Sequence, residues 1–240
     1  MWHFQRINLL DSLINKKYIS FVGSGGKSTF IENIAAEAIK RDKSVAITTT
    51  TKIYAKKPYI LLDKDIFEKT WKEQFMRVGK TIEEGKLTGI TAHDIKELGK
   101  MYDMVLIEAD GARGKPLKFP ADYEPVIPPC SEKIFVLCGL DGLSGRVDET
   151  VFRWELFSQA TGIEGNASIT PEVFLRFFSD DILLKHVDRE KCTIVLNKYD
   201  VSKMRHATKE IAKSVVHRTG GISVIVSSMM FELFYLVTEE

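Results

Sequence analysis

The stretch Phe21-Val22-Gly23-Ser24-Gly25-Gly26-Lys27-Ser28-Thr29 decides how this chain is read. It closes a short apolar run, Tyr18-Ile19-Ser20-Phe21-Val22, of the kind that forms a buried strand. Beyond it Phe30, Ile31, Ile34, Ala35, Ala38 and Ile39 recur at helical spacing. A strand, a glycine turn carrying Gly-Lys-Ser, and a helix form the setting of a phosphate-binding loop. Gly23, Ser24, Gly25 and Gly26 allow backbone N–H groups to close round phosphate oxygens. The helix N-terminus at Thr29 adds partial positive charge. Lys27 is expected to reach the β- and γ-phosphates, and Ser28 to ligate Mg²⁺. The plainer alternative is a glycine turn with a solvated lysine.

The usual pattern has a further glycine where this chain has Phe21. What remains, Gly-x-x-Gly-Lys-Ser-Thr, resembles the loop of Mur-type amino-acid ligases, which use ATP. The loop therefore predicts a mononucleotide and leaves the base open.

Downstream, two more strands end in residues suited to such a site. Met104-Val105-Leu106-Ile107 is wholly apolar and runs into Glu108-Ala109-Asp110-Gly111. Period-two alternation puts Glu108 and Asp110 on one face, where a carboxylate holds Mg²⁺ directly or through water. Cys192-Thr193-Ile194-Val195-Leu196 runs into Asn197-Lys198-Tyr199-Asp200. Asn-Lys-x-Asp after a strand resembles the base-reading motif of P-loop GTPases. A carboxylate accepts two hydrogen bonds from guanine, and adenine offers no such pair. Ser227, at the end of the strand Ile222 to Val226, stands where a second base contact is expected.

Thr48-Thr-Thr-Thr-Lys52 follows the strand Ser44 to Ile47. It reads either as a plain strand end or as hydroxyls, Thr49 among them, beside the metal or γ-phosphate. Arg113, Lys115 and Lys118 lie in a proline-rich segment, 111–129, placed where nucleotide-sensing switch loops occur. They could bind phosphate or an anionic substrate, or be solvated. Lys27, Glu108 and Asp110 are the candidate catalytic groups, and Ser28, Glu108 and Asp110 the candidate metal ligands.

Elsewhere, residues 1–17 suggest a short helix over a sheet edge. A helix is expected from about Asp65, a small hairpin within 77–90, and a helix opening at Thr91-x-x-Asp94. From about 145 to 190 the pattern turns helical, with Asp148 capping a helix through Ala160 and Thr170-Pro171 starting another. Phe152, Phe157, Phe174, Phe177 and Phe178 are expected in its core. The expected architecture is a single α/β domain over 1–240. It is P-loop NTPase-like, with a mainly parallel sheet flanked by helices and a helical insertion.

With 240 residues, 44% of them hydrophobic, the chain can bury a substantial core. A net charge of +1 gives no bulk attraction to nucleic acid or anionic membrane. Three cysteines without a C-x-x-C pair, and an N-terminus without an apolar leader run, point to a cytoplasmic protein. The five histidines form no close pair, so Mg²⁺ with GTP or ATP is the cofactor expected. Cys130 is a candidate reactive thiol for selenium or sulfur, against a plain inert cysteine.

Several stretches together resemble one family, the selenium-dependent hydroxylase accessory proteins of the YqeC type. They are the loop with Thr48 to Lys52, then Ile107-Glu-Ala-Asp-Gly-Ala-Arg-Gly-Lys-Pro-Leu-Lys118 running to Glu124-Pro-Val-Ile-Pro128, and Leu196-Asn-Lys-x-Asp200. Gly139-Leu140-Asp141 and Ile169-Thr-Pro-Glu172 also fit. Where the family carries histidine before arginine, this chain has Phe152-Arg153. The resemblance implies a role in maturing selenium-containing molybdenum hydroxylases, acting on the enzyme or its cofactor. Three mechanisms fit the residues: an NTP-hydrolysing accessory protein, an ATP-dependent kinase or ligase, and a non-hydrolysing nucleotide-binding adaptor.

Overall fold

The computed structural model describes residues 1–62 and 73–239. In chain order the first half runs β1 (Trp2–Arg6), β2 (Tyr18–Gly23), α1 (Lys27–Ile39), β3 (Val45–Thr49), β4 (Lys52–Tyr54), β5 (Tyr59–Leu61), β6 (Phe75–Gly79), β7 (Ile82–Glu83), β8 (Lys86–Thr88), α2 (Ala92–Met101) and β9 (Met104–Glu108). The second half runs β10 (Leu117–Lys118), β11 (Lys133–Gly139), α3 (Val147–Thr150), β12 (Val151–Phe152), α4 (Trp154–Thr161), α5 (Pro171–Arg176), β13 (Cys192–Asn197), α6 (Thr208–Arg218), β14 (Ser223–Ser228) and β15 (Leu233–Glu239).

Ten strands form one sheet in the order β1-β15-β14-β13-β11-β2-β9-β3-β6-β5. From β14 to β5 every pairing is parallel; β15 is antiparallel to both β14 and β1. Helices cover both faces, as a mostly parallel sheet requires. On one face α1 packs Phe30, Ile31 and Ile34 onto Phe21, Leu106 and Phe135. On the other, α2 sits over β9 and β3 through Ile95 and Leu98, and α4, α5 and α6 cover β11, β13 and β14. After β2 the chain winds to one side, returns as β9 beside β2, and then crosses to β11 on the other side. The C-terminal end of β2 is thus the switch point where ligands of such sheets bind.

Three expectations need correction. Residues 2–6 form an edge strand, because Trp2 and Phe4 alternate with exposed His3 and Gln5 and pair in register with β15. Only the short 3-10 turn Leu9–Ser12 resembles the expected helix, and β15 itself went unforeseen. Asp148 caps no long helix: α3 is a single turn, and the two-residue β12 separates it from α4 by pairing with β10. Phe152 is half-buried rather than core, whereas Phe157, Phe174, Phe177 and Phe178 are buried.

The expected hairpin exists as β7 and β8, with β4 added to it, while β6 belongs to the main sheet. Thr91 and Asp94 form the capping box of α2, and Thr170 caps α5 with Pro171 in its first turn. The helix expected from Asp65 lies outside the described residues.

The Phe157 ring stacks on Phe177 with centroids 4.6 Å apart and is fully buried. Phe157→Ala leaves a cavity there and should cost about 3–5 kcal/mol. Urea unfolding tests this, and a loss below about 1 kcal/mol would show that the segment contributes little to the common core.

Candidate functional site

The glycine loop lies at the switch point, held by β11 on one side and by the segment after β9 on the other. Ser24 N–H donates to Leu137 O at 2.9 Å, and Gly25 N–H donates to Lys115 O at 3.2 Å. Gly25 has φ +75°, and a Cβ on it would lie 2.3 Å from the amide nitrogen of Gly139. Only glycine permits that approach. The loop delivers the chain into α1, where the N–H groups of Lys27, Ser28 and Thr29 have no helical carbonyl to bond. With the dipole of a 13-residue helix behind them, they make an anion site.

Both acids at the end of β9 face this loop, as alternation predicts, but they have different work. Glu108 accepts from the Ser28 hydroxyl at 3.0 Å. Burial pushes its pKa up, against the pull of Lys27 and Ser28. Asp110 instead anchors the loop. Its Oδ2 accepts from Gly23 N–H at 2.9 Å and from Lys118 Nζ at 2.8 Å. Its Oδ1 lies 3.0 Å from Lys27 Nζ, an ionic contact without hydrogen-bond alignment. Lys27 Nζ also donates to Gly23 O at 2.6 Å. Burial lowers the Lys27 pKa, but Asp110 and Glu108 outweigh it and hold the ammonium above its ordinary value.

The charges continue inward. Lys118, expected as a phosphate or substrate contact, is fully buried and bridges Asp110 to Glu124, each at 2.8 Å. Glu124 then takes the Arg153 guanidinium through both oxygens, at 2.5 and 3.1 Å. Burial raises the Glu124 pKa, yet the bonds from Arg153 and Lys118 prevail and bring it to about 2. Neither Glu124 nor Arg153 stood out in the sequence as a site residue. The available signal was one glutamate inside a proline-rich run and an arginine next to the departure at Phe152.

The remaining expected residues divide into two groups. On the β13 side, Asn197 Nδ2 donates to Gly25 O at 2.9 Å, and Ser227 Oγ donates to Asn197 Oδ1 at 3.0 Å. Lys198, with φ +65°, passes Gly26 and pairs with Asp141 at 2.7 Å. Asp200 is half-buried in the turn Tyr199–Val201 and takes no hydrogen bond or ion pair among the described residues.

On the β9 side lies a cavity of about 580 Å³. Its floor is Ser24 to Thr29 with Glu108, and its far wall includes Lys52, Tyr54, Lys86, Arg113, Tyr123, Phe152 and Arg153. Thr49 does not reach it: its hydroxyl donates to Glu108 O at 2.7 Å and secures the acidic strand end. Arg113 lies over the Phe152 ring at 5.4 Å, and Lys115 bonds Glu149 O. Cys130 is half-buried, with its thiol pKa raised by burial.

A metal held here would rest on Glu108 and the Ser28 hydroxyl. This hard-oxygen pair suits Mg²⁺, which keeps waters and shares phosphate oxygens. Asp110, committed to two lysines and Gly23 N–H, does not fit the ligand role expected of it. No cluster of three or more His, Cys, Asp or Glu among the described residues could hold a metal ion.

A family model described as YqeC protein matches residues 19–155, the span from the loop strand to the Phe152-Arg153 wall of the cavity. The chain belongs to the YqeC family. It is also similar to a protein of Escherichia coli (strain K12) described as "Uncharacterized protein YqeC". The two are 32% identical over 164 residues, covering 63% of each chain. The match thus spans less than two thirds of that relative's length. The matched span contains the loop, the acidic strand end and the segment that stitches them together.

An acid held at about 2 rather than 4.5 stabilises the fold fully above pH 4.5, and that contribution is lost as pH falls towards about 2. Glu124→Gln should therefore cost about 3 kcal/mol near neutrality, since it leaves the Arg153 guanidinium without its carboxylate and Lys118 with Asp110 alone. The gap between the two proteins should narrow as the wild type is acidified through that window. Urea midpoints across the pH range read this out; a gap independent of pH would assign Glu124 a neutral packing role.

Proposed function

We propose that this protein binds a guanine nucleoside triphosphate with Mg²⁺ at its glycine loop and hydrolyses it. It would do so as an accessory factor in the maturation of selenium-dependent molybdenum hydroxylases. The observation that carries the nucleotide reading is the Glu108 carboxylate on the Ser28 hydroxyl at the open N-terminus of α1. A strand-end acid on the first-turn hydroxyl after Gly-Lys is the pairing a P-loop uses for nucleotide-bound Mg²⁺. The strand order supports a P-loop NTPase-like fold, with the acidic strand directly beside the loop strand.

In this reading Lys27 turns from Gly23 O to the phosphates, and the α1 amides hold the terminal oxygens. Asp110 keeps the loop closed while that happens. Bound Mg²⁺ supplies neutralisation of phosphate charge. The guanine preference rests on Asn197, which fastens the base-reading turn to Gly25 and leaves the Asp200 carboxylate unpaired for the base. The three free cysteines fit a reducing, cytoplasmic setting. The hydroxylase connection comes from the family resemblance, and the partner would be that enzyme or its cofactor.

A second reading, an ATP-dependent kinase or ligase, is favoured by one observation. The cavity runs on past the loop to a wall on which no base-reading residue lies.

Calorimetric titration with Mg²⁺ separates these. GTP should bind at least about tenfold tighter than ATP, and Asp200→Asn should erase that preference. Ser28→Ala should weaken the Mg²⁺-dependent part of binding, and Lys27→Ala should abolish phosphate release. Equal affinities, unchanged by Asp200→Asn, would overturn the guanine reading. Phosphate release no faster than that of Lys27→Ala, with or without a hydroxylase partner, would remove hydrolysis.

A further inference from the structure

The far wall of the cavity has properties that nucleotide binding does not use. Phe152 carries two guanidinium groups, with Arg153 centred 4.6 Å and Arg113 5.4 Å from its ring centroid. Both arginines hold left-handed backbone, at φ +61° and +48°. Side-chain-bearing residues adopt that conformation at a cost, and such strain collects at ligand sites. The two guanidiniums differ in how far they are committed. Arg153 is fixed by Glu124, whereas Arg113 is exposed and touches no carboxylate among the described residues. Lys86, whose ammonium lies 5.2 Å from the centroid of the Tyr54 ring, likewise has no acidic partner among them.

Two exposed rings add to this wall. Tyr54 is 67% exposed and Tyr123 71%, and both border the same cavity. Exposed aromatic rings beside unneutralised cations suit a planar anion, which stacks on the rings while its charge meets the guanidinium.

The nucleotide does not account for this wall. The base-reading residues approach the loop from the opposite side: Asn197 contacts Gly25, and a Cβ on Gly26 would lie 3.0 Å from Asn197 Nδ2. None of Asn197, Lys198, Asp200 or Ser227 borders the cavity. A nucleotide whose base sits beside β13 has its phosphates on the loop and its terminal phosphate pointing into the cavity. The space between that phosphate and Phe152 is then left for something else.

We propose that Arg113, supported by Phe152 and Arg153 and flanked by Tyr54, Lys86 and Tyr123, forms a second site. It takes a small anion bearing a planar ring, an aromatic or heteroaromatic phosphate or carboxylate, facing the terminal phosphate of the nucleotide. The assignment that the nucleotide lies on the β13 side rests on the function proposed above.

The test uses p-nitrophenyl phosphate as probe, titrated calorimetrically onto the full chain alone and onto the chain saturated with Mg²⁺ and a non-hydrolysable GTP analogue. The probe should bind the nucleotide-loaded protein. Arg113→Ala should weaken it at least about tenfold, because a charge-assisted contact is lost, with Arg113→Lys recovering part of the loss. Affinity for the GTP analogue should change less than about twofold in both variants. Arg113 is exposed, so the variants should keep the wild-type melting midpoint. Competition between probe and analogue, or probe affinity indifferent to Arg113→Ala, overturns the second site. If the analogue fails to bind while the probe still binds in an Arg113-dependent way, the nucleotide reading fails and the anion site stands.

Discussion

A line of alternating buried charges holds this molecule's working end together: Lys27, Asp110, Lys118, Glu124 and Arg153. Each ion has lost most of its hydration, and only its neighbours repay that loss. Lys118 is the centre, since without it Asp110 and Glu124 would be two carboxylates sharing a dry space. The line also links distant parts of the chain. It starts at the glycine loop, passes through the end of β9, crosses the proline-rich segment, and ends at the residue before α4. Whatever disturbs Lys27 is felt by Asp110, and from there along the row.

That row explains why the two acids after β9 do not share a role. Among the described residues the Glu108 carboxylate takes one hydrogen bond, from Ser28, and burial raises its pKa, which leaves it disposed to gain a positive partner. Asp110 is saturated with positive charge and amide hydrogen. One residue of spacing separates a carboxylate that faces the Ser28 hydroxyl from one that is structural. The segment after Asp110 takes its shape from the same source, because Lys115 O and Pro116 O also receive bonds from Gly25 and Ser24. A segment so stitched moves as a body with the glycine loop.

Much of this was legible in the sequence where the signal was local. The apolar run before Gly23, the acids after Ile107 and the amide and acid after Leu196 each sit at a strand end, and period two fixed their faces. The capping box at Thr91 and the proline after Thr170 also carry their geometry in neighbouring residues. Hidden features were those whose reason lies far away in sequence. Trp2 and Phe4 make a strand only because β15 is there to pair with. Lys118 reads as a surface base until Asp110 and Glu124 enclose it. Arg153 reads only as the arginine that follows the departure at Phe152, and its bidentate partner stands in another segment altogether. Phe152 reads as core by its residue type alone, whereas its ring holds up two cations at the rim of a cavity.

The placement of β2 has a consequence for how the chain comes to exist. Ile19 pairs with Leu106 on one side and Lys133 on the other, so neither edge of the loop strand is satisfied until long stretches of later sequence are present. Pairings this remote make folding slow and leave strand edges bare in the meantime. During synthesis the glycine loop emerges well before its anchoring carbonyls at Lys115 and Leu137 and the side chain of Asn197. The glycine loop is therefore made before the groups that hold it and takes its final shape only once Asn197 has been added.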